Sequence, residues 1–343
     1  MNIKLVLKVL GRVELVVAAS MALPLACALL YGEDIAPFLW SIAIILCVSL
    51  PLSFLPTDSS FFLREGFAAV GLIWLFTGVA GGLPFFFNGG GGFNTIWDCI
   101  FEASSGFTTT GATILTDIES LPKGILLWRA FTHWLGGMGV LVLATAVFPS
   151  LGVRSQYLTR AETPGPMVVK LVPKQAKTSK ILYGIYCVMT LVVVVLLWGA
   201  GLPLYDAVVH AFSIAGTGGF SSKNASFAAY PLPGVDLIVS VFTLLFSLNF
   251  GVFYLALRRR FREIWKNEEL HFFLLVVALA TVLIAWDLTP VYHQGVLESL
   301  RYAFFHVTSV ISTSGFFTED YALWPQFSQM VLVLLMFCGS CSS

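Results

Sequence analysis

The sequence predicts an all-α protein that crosses a membrane many times, with short re-entrant helices that dip in and lead into polar loops. Three observations predict it. Of 343 residues, 57% are hydrophobic and only 11% charged, and the mean hydropathy is +0.87, well beyond a soluble domain. The chain also reads as a succession of apolar runs, most of them long enough for the roughly 20 helical residues that cross hydrocarbon. Finally, one Thr/Gly-containing stretch recurs three times with matched polar positions, and such self-similarity sets the architecture.

Taken in order, residues 5–31 form a first apolar run and Ala36 to Leu55 a second. The first is too long for a signal peptide, and another span follows it at once. A third span runs from Phe61 to Pro84, followed by the Gly-rich turn Asn88 to Gly92. Trp97 to Phe107 is too short to cross and reads as re-entrant. Pro122 to Phe148 crosses, carrying Arg129, His133 and the run Trp134-Leu135-Gly136-Gly137-Met138-Gly139, whose glycines allow close helix approach. His133 reads either as a satisfied polar residue between helices or as part of a cavity. Val153 to Lys180 is a polar loop. Ile181 to Gly201 spans, Pro203 to Gly216 is re-entrant, and Leu237 to Leu257 spans as one helix ahead of the basic cluster Arg258-Arg259-Arg260-Phe261-Arg262. Leu270 to Thr289 spans, Leu297 to Ile311 is re-entrant, and Leu323 to Phe337 begins a span that breaks at Cys338-Gly339-Ser340-Cys341-Ser342-Ser343.

The repeat is read by counting back from Gly111, Gly219 and Gly315. Two residues before each stands a threonine (Thr109, Thr217, Thr313), and six before, a serine (Ser105, Ser213, Ser309). Nine before stand Glu102, His210 and His306; thirteen before stand Asp98, Asp206 and Tyr302. A single copy would be an ordinary amphipathic helix end capped by glycine; three matched copies make that reading insufficient. Small residues, hydroxyls and a glycine that lets carbonyls turn to one side suit a selectivity filter. The candidate ion ligands are Thr109, Thr110, Gly111, Thr217, Gly218, Gly219, Thr313, Ser314 and Gly315. Glu102, His210 and His306 lie further back on the helices and are expected to brace the loops.

Charge placement orients the chain. With the N-terminus in the cytoplasm, only Lys123, Arg129, Lys223 and Arg301 of the 19 Lys and Arg fall in outer or membrane segments, the positive-inside bias. All three loops then enter from outside, so each short helix points its C-terminal, partially negative end toward the membrane centre. Acids concentrate in the outer half, a sign that raises the local cation concentration; among them Glu33, Asp34, Glu319 and Asp320 read as solvated loop residues. Zero net charge indicates no nucleic acid partner. The six cysteines, Cys27, Cys47, Cys99, Cys187, Cys338 and Cys341, read as small hydrophobes, not a disulfide frame.

The stretches Ser105 to Thr113, Arg129 to Gly139, Gly216 to Ser221, Thr313 to Phe316 and Phe337 to Ser342 resemble the superfamily of Trk, Ktr and HKT potassium transporters, most closely its TrkH type. The resemblance implies units of helix, re-entrant pore helix, filter loop and helix around a pore axis, after two extra N-terminal transmembrane helices. It divides the chain into the two leading helices (1–56), a first pore unit (57–150), a second with cytoplasmic loops (151–266) and an incomplete third (267–343). Family members have four units, so the chain is expected to be a piece of a longer protein, lacking the fourth.

By the same resemblance the expected function is not enzymatic: potassium uptake through a channel-like pore in the bacterial cytoplasmic (inner) membrane, with potassium as the substrate and no cofactor. It further implies gating by an intramembrane loop beginning at Gly339, Ser340, Cys341 and Ser342, a homodimer, and a cytosolic nucleotide-binding regulatory subunit of the TrkA type. The basic segments Val153 to Lys180 and Arg258 to Lys266 are docking candidates, although topology alone also accounts for their charge. The alternative is an alternating-access cation symporter, which predicts inverted repeats, whereas these three units share one orientation.

Overall fold

The computed structural model describes residues 2–57, 63–139, 175–232, 234–292 and 295–339. Among them the regular elements are helices, with a single isolated bridge between Gly90 and Phe93. Five described helices are long and apolar enough to cross a membrane, and a sixth span is made if one bent pair is counted together. The protein is an all-α, multi-pass membrane protein. Residues up to Gly184 form one compact unit and residues from Ile185 onward another.

In the first unit, the run expected over 5–31 is two helices, α1 (Ile3–Ser20) and α2 (Ala22–Tyr31). The seam at Met21 has a local cause: Pro24 has no N–H to offer the carbonyl of Ser20 one turn earlier. Helices α3 (Ala36–Ser53) and α4 (Leu63–Asn88) follow. Gly11 lets α1 and α3 meet, since a Cβ there would lie 2.8 Å from the Ser49 carbonyl oxygen.

On α4, three glycines face the short helix α5 (Ile96–Phe107). A Cβ on Gly78 would strike the Ser104 hydroxyl, one on Gly81 the Phe107 ring, and one on Gly82 would stand 3.0 Å from the Cys99 carbonyl carbon. Small residues on one face are how membrane helices approach closely. Helix α5 starts in a capping box: the Asp98 N–H donates to Thr95 Oγ1 at 3.2 Å, and the Thr95 N–H to Asp98 Oδ2 at 2.7 Å. Its 12 residues rise about 18 Å, short of the roughly 30 Å of hydrocarbon.

Helix α6 (Lys123–Gly137) follows. Its N-terminus rests on Glu33, whose two oxygens accept from the N–H groups of Lys123 (2.7 Å) and Gly124 (2.8 Å). Glu33 is therefore a helix cap supplied from a distant loop, not the solvated residue expected. Asp34 stays exposed, as expected, and accepts from the Ala36 N–H at the start of α3, at 2.9 Å.

Helix α7 (Gln175–Gly199) leads into the second unit. There follow the short helix α8 (Leu204–Ala215), α9 (Val235–Phe246), α10 (Phe250–Leu257), the single turn α11 (Phe261–Ile264) and the long span α12 (Glu268–Tyr292), then α13 (Val296–Ile311) and α14 (Gln326–Phe337). The straight span expected over 237–257 is broken: α9 and α10 meet at 92°. Ser247 turns its hydroxyl back to the Leu244 carbonyl at 2.7 Å, and Asn249 starts the new helix by accepting from the Gly251 N–H at 2.8 Å. Both halves are apolar, so hydropathy alone runs through the bend.

Helices α12, α13 and α14 share a core that includes Val277, Ile284, Ala303, Val307 and Leu332. Asp287 of α12 accepts from the N–H (3.1 Å) and hydroxyl (2.7 Å) of Ser328 in the first turn of α14. An Asp236–Arg301 ion pair at 3.1 Å ties α9 to α13.

Candidate filter loops

Helices α5, α8 and α13 end in one and the same hydrogen-bond pattern. In the first, the Thr109 N–H donates to the Gly106 carbonyl (3.0 Å) and the Thr110 N–H to that of Ser105 (2.9 Å). In the second, Thr217 donates to Ile214 (3.0 Å) and Gly218 to Ser213 (3.0 Å); in the third, Thr313 donates to Val310 (3.0 Å) and Ser314 to Ser309 (2.9 Å). This paired closure is the Schellman motif, whose first residue past the cap is left-handed and is ordinarily glycine. Here that residue is threonine each time, at φ of 54° (Thr109), 51° (Thr217) and 62° (Thr313).

A β-branched residue in that region is a true outlier, costing about 1–2 kcal/mol. Glycine stands two residues later, again left-handed, at 74° (Gly111), 87° (Gly219) and 70° (Gly315). The glycine is therefore not the helix cap, and each loop turns left-handed twice.

The pattern fixes where carbonyls point. A trans peptide sets its C=O opposite its N–H, and no described peptide is cis. Because the N–H groups of the threonine and of the residue after it point back into the helix, the carbonyls of Thr108 and Thr109 point away from it. The same holds for Gly216 and Thr217, and for Ser312 and Thr313. Each loop thus presents two successive oxygens ahead of a helix C-terminus, the polarity that favours a cation.

The outgoing leg of each loop is tied to its helix. Ser105 donates to the Ala112 carbonyl at 2.6 Å, and Ser309 to that of Phe316 at 2.7 Å. Nine residues before each glycine a larger polar group reaches further along. Glu102 accepts from the Thr113 hydroxyl (2.8 Å), the Ile114 N–H (3.2 Å) and Arg129 Nε (2.5 Å), in an ion pair buried on both sides. His210 pairs through Nε2 with the Ser221 hydroxyl at 2.9 Å, and His306 through Nε2 with the Glu319 carbonyl at 3.2 Å. Asp206 accepts from the Ser222 hydroxyl at 2.7 Å.

Within the second unit, two loops touch. A Cβ on Gly219 would fall on the Ser314 carbonyl oxygen, whereas nothing lies within 4 Å of one on Gly315. Gly339, just past α14, abuts the same region: a Cβ there would stand 2.9 Å from Thr313 Cγ2. Ser340, Cys341 and Ser342 lie outside the described residues.

The profile of a family described as TrkH, cation transport protein, matches residues 37–343. The chain belongs to the TrkH family. The Trk system potassium uptake protein TrkH of Salmonella typhimurium is 39% identical over 284 residues, covering 81% of this chain and 58% of the relative. That of Escherichia coli K12 is 38% identical over the same shares. The Halomonas elongata protein of the same name is 33% identical over 348 residues, 100% of this chain and 72% of the relative. The crystal structure of the potassium transporter TrkH from Vibrio parahaemolyticus matches with a TM-score of 0.85 at 30% identity, over 100% of this chain and 71% of that one. The chain spans 58% of the length of the Salmonella and Escherichia TrkH relatives.

Counting from the glycines missed several groups in this TrkH-family chain. Thr108, Gly216 and Ser312 contribute outward carbonyls, and their signal was their place directly before the threonine. Gly136 on α6 allows the close approach expected of it: its Cα lies so near the Phe107 carbonyl that a Cβ would collide with it, so α6 packs against the very end of α5.

Proposed function

We propose that the protein is the membrane-embedded, cation-conducting part of a potassium uptake system. The observation that carries this is the threefold recurrence of a left-handed threonine and glycine pair at the C-terminal end of a short re-entrant helix. Strain repeated at equivalent positions calls for a shared purpose, and outward carbonyls ahead of a helix C-terminus can replace part of an ion's hydration shell. The names of the relatives supply the ion.

On this reading, Thr109, Thr110, Gly111, Thr217, Gly218, Gly219, Thr313, Ser314 and Gly315 bind potassium, with Thr108, Gly216 and Ser312 added. Uptake into the cytoplasm follows the membrane potential, worth about 2.3 kcal/mol per 100 mV for a monovalent ion. The segment from Gly339 restricts the path beneath Thr313. A homodimer in the bacterial inner membrane, controlled by a cytosolic nucleotide-binding subunit that docks on the inner basic segments, completes the proposal. The 92° break between α9 and α10 also suits an alternating-access symporter. Flux that does not saturate at high potassium separates the channel from that alternative.

The test is relative potassium and sodium uptake by the complete gene product carrying Gly111→Ser, in cells lacking their own potassium uptake. Discrimination for potassium is expected to fall while the protein still reaches the membrane. An unchanged ratio, with Gly315→Ser also silent, would leave these glycines as turn residues and remove the filter assignment.

A further inference from the structure

The three braces differ in what their partners can accept. Glu102 is an acceptor surrounded by donors, so its carboxylate is satisfied as it stands. His210 places Nδ1 against the Asp206 carbonyl at 2.7 Å and Nε2 against the Ser221 hydroxyl at 2.9 Å. A neutral ring serves both, donating through Nδ1 and accepting from the hydroxyl through Nε2. His306 is placed differently. Its Nδ1 faces the Tyr302 carbonyl at 3.1 Å and its Nε2 the Glu319 carbonyl at 3.2 Å. Both partners are acceptors only. A neutral imidazole has one N–H, so one of its nitrogens then turns a lone pair toward a carbonyl lone pair. Only the imidazolium, with two N–H groups, makes both bonds, and the ring is 1% exposed, so no solvent relieves the mismatch.

We propose that His306 is a proton-binding site that sets how firmly the outgoing leg of the third loop is held, and through it cation binding there; this rests on the potassium-filter reading. When the proton is on, the bonds to Tyr302 and Glu319 form together and a positive charge stands behind the third loop. When it is off, the Tyr302–His306–Glu319 bridge loses one bond and the charge is gone. Acidification therefore adds a positive charge behind the third loop, and that charge opposes a cation.

Burial holds the His306 ring below the ordinary histidine range, while the Tyr302 and Glu319 carbonyls favour its charged form. The Trp324 and Tyr321 rings stand 4.6 and 6.2 Å from it, with Tyr302 one turn back. The side chain of Glu319 bonds the Tyr302 hydroxyl, and burial pushes that carboxyl above its ordinary range. Arg301 is paired with Asp236 on α9, Asp287 on α12 is engaged by Ser328, and Asp320 accepts from the Ala322 N–H at 2.9 Å. Glu298 lies on the same helix and acts on Glu319.

The experiment is the KM for potassium uptake by the complete gene product from about pH 8 down to about pH 4 outside, a range extended to the acid side of ordinary histidine titration because burial lowers His306. The wild type is expected to show a KM on the order of tenfold higher at the acid end, the effect of a unit charge about 10 Å from the ion at an effective dielectric of about 20. His306→Gln, which keeps a donor for Glu319 but cannot take a proton, should flatten that dependence. His210→Gln and Glu319→Gln should retain it. A pH-independent KM in the wild type overturns the proposal without any variant; so does a slope that survives in His306→Gln or disappears in Glu319→Gln. Absence of potassium uptake at every pH would instead count against the filter reading itself.

Discussion

The first loop and the third reach the same backbone by different means. The first is held by a buried ion pair, Glu102 with Arg129, and packs against a neighbouring helix whose Gly136 lies on the Phe107 carbonyl. The third is held by an imidazole between two carbonyls, and its Ser314 carbonyl lies against Gly219 of the second loop. Left-handed threonine, left-handed glycine and paired helix closure are nonetheless common to both. Brace chemistry is thus free to vary while loop geometry is not, as expected if the geometry serves the ion and the braces serve the geometry. The difference also says where each loop is vulnerable: the first to loss of a charge, the third to added bulk at a shared backbone contact.

The largest effect should come from breaking the ion pair. Arg129→Leu leaves the Glu102 carboxylate buried with its main partner gone, a change that typically costs about 3–5 kcal/mol. Thermal unfolding of the detergent-solubilised protein should show it. Replacing Glu102 by Gln in the same chain should recover a substantial part, since no lone charge is then buried. A single variant as stable as the wild type would mean that the pair contributes little to holding the first loop.

Next come the two glycines of the second unit. Gly219→Ala places a methyl on a backbone oxygen of another loop, which no rotamer can relieve, and adds left-handed strain; a loss of about 3 kcal/mol or more is expected. Gly315→Ala meets nothing within 4 Å and should cost only the strain, about 1–2 kcal/mol. Equal losses at the two positions would show that the second and third loops do not lean on each other.

How far the sequence revealed this is clear residue by residue. The repeat was legible because Ser, Thr and Gly hold fixed offsets and because each helix is bounded by turn residues. Hydropathy likewise marked the three short helices, which are too brief to cross. The break at Ser247 to Asn249 was not legible, since Leu244-Leu245-Phe246 and Phe250-Gly251-Val252 read as one apolar run. Nor was the role of Glu33: the N–H groups it caps belong to a helix 90 residues later, and only folding brings them together. Left-handed threonine could not be foreseen from propensity, because β-branched residues avoid that conformation. It is visible only once the left-handed residue of the Schellman closure is seen to fall two residues before the glycine.

The smallest stability change, and the most informative, should follow Thr109→Gly. Glycine adopts a φ of 54° freely, so the strain of about 1–2 kcal/mol carried by the threonine is released. Against this, glycine gains about 0.5–1 kcal/mol of freedom in the unfolded chain, and the net shift should lie between about zero and about 1.5 kcal/mol of stabilisation. If the threonine served only to end the helix, glycine would do that work equally well and uptake would be unaffected. If its stiffness holds the two outward carbonyls at a fixed spacing, potassium over sodium discrimination should fall although stability does not. Measuring unfolding temperature and the uptake ratio on the same variant separates the two cases. A stable variant with unchanged discrimination would assign the strain at Thr109 to local packing, and by the symmetry of the repeat would cast the same doubt on Thr217 and Thr313.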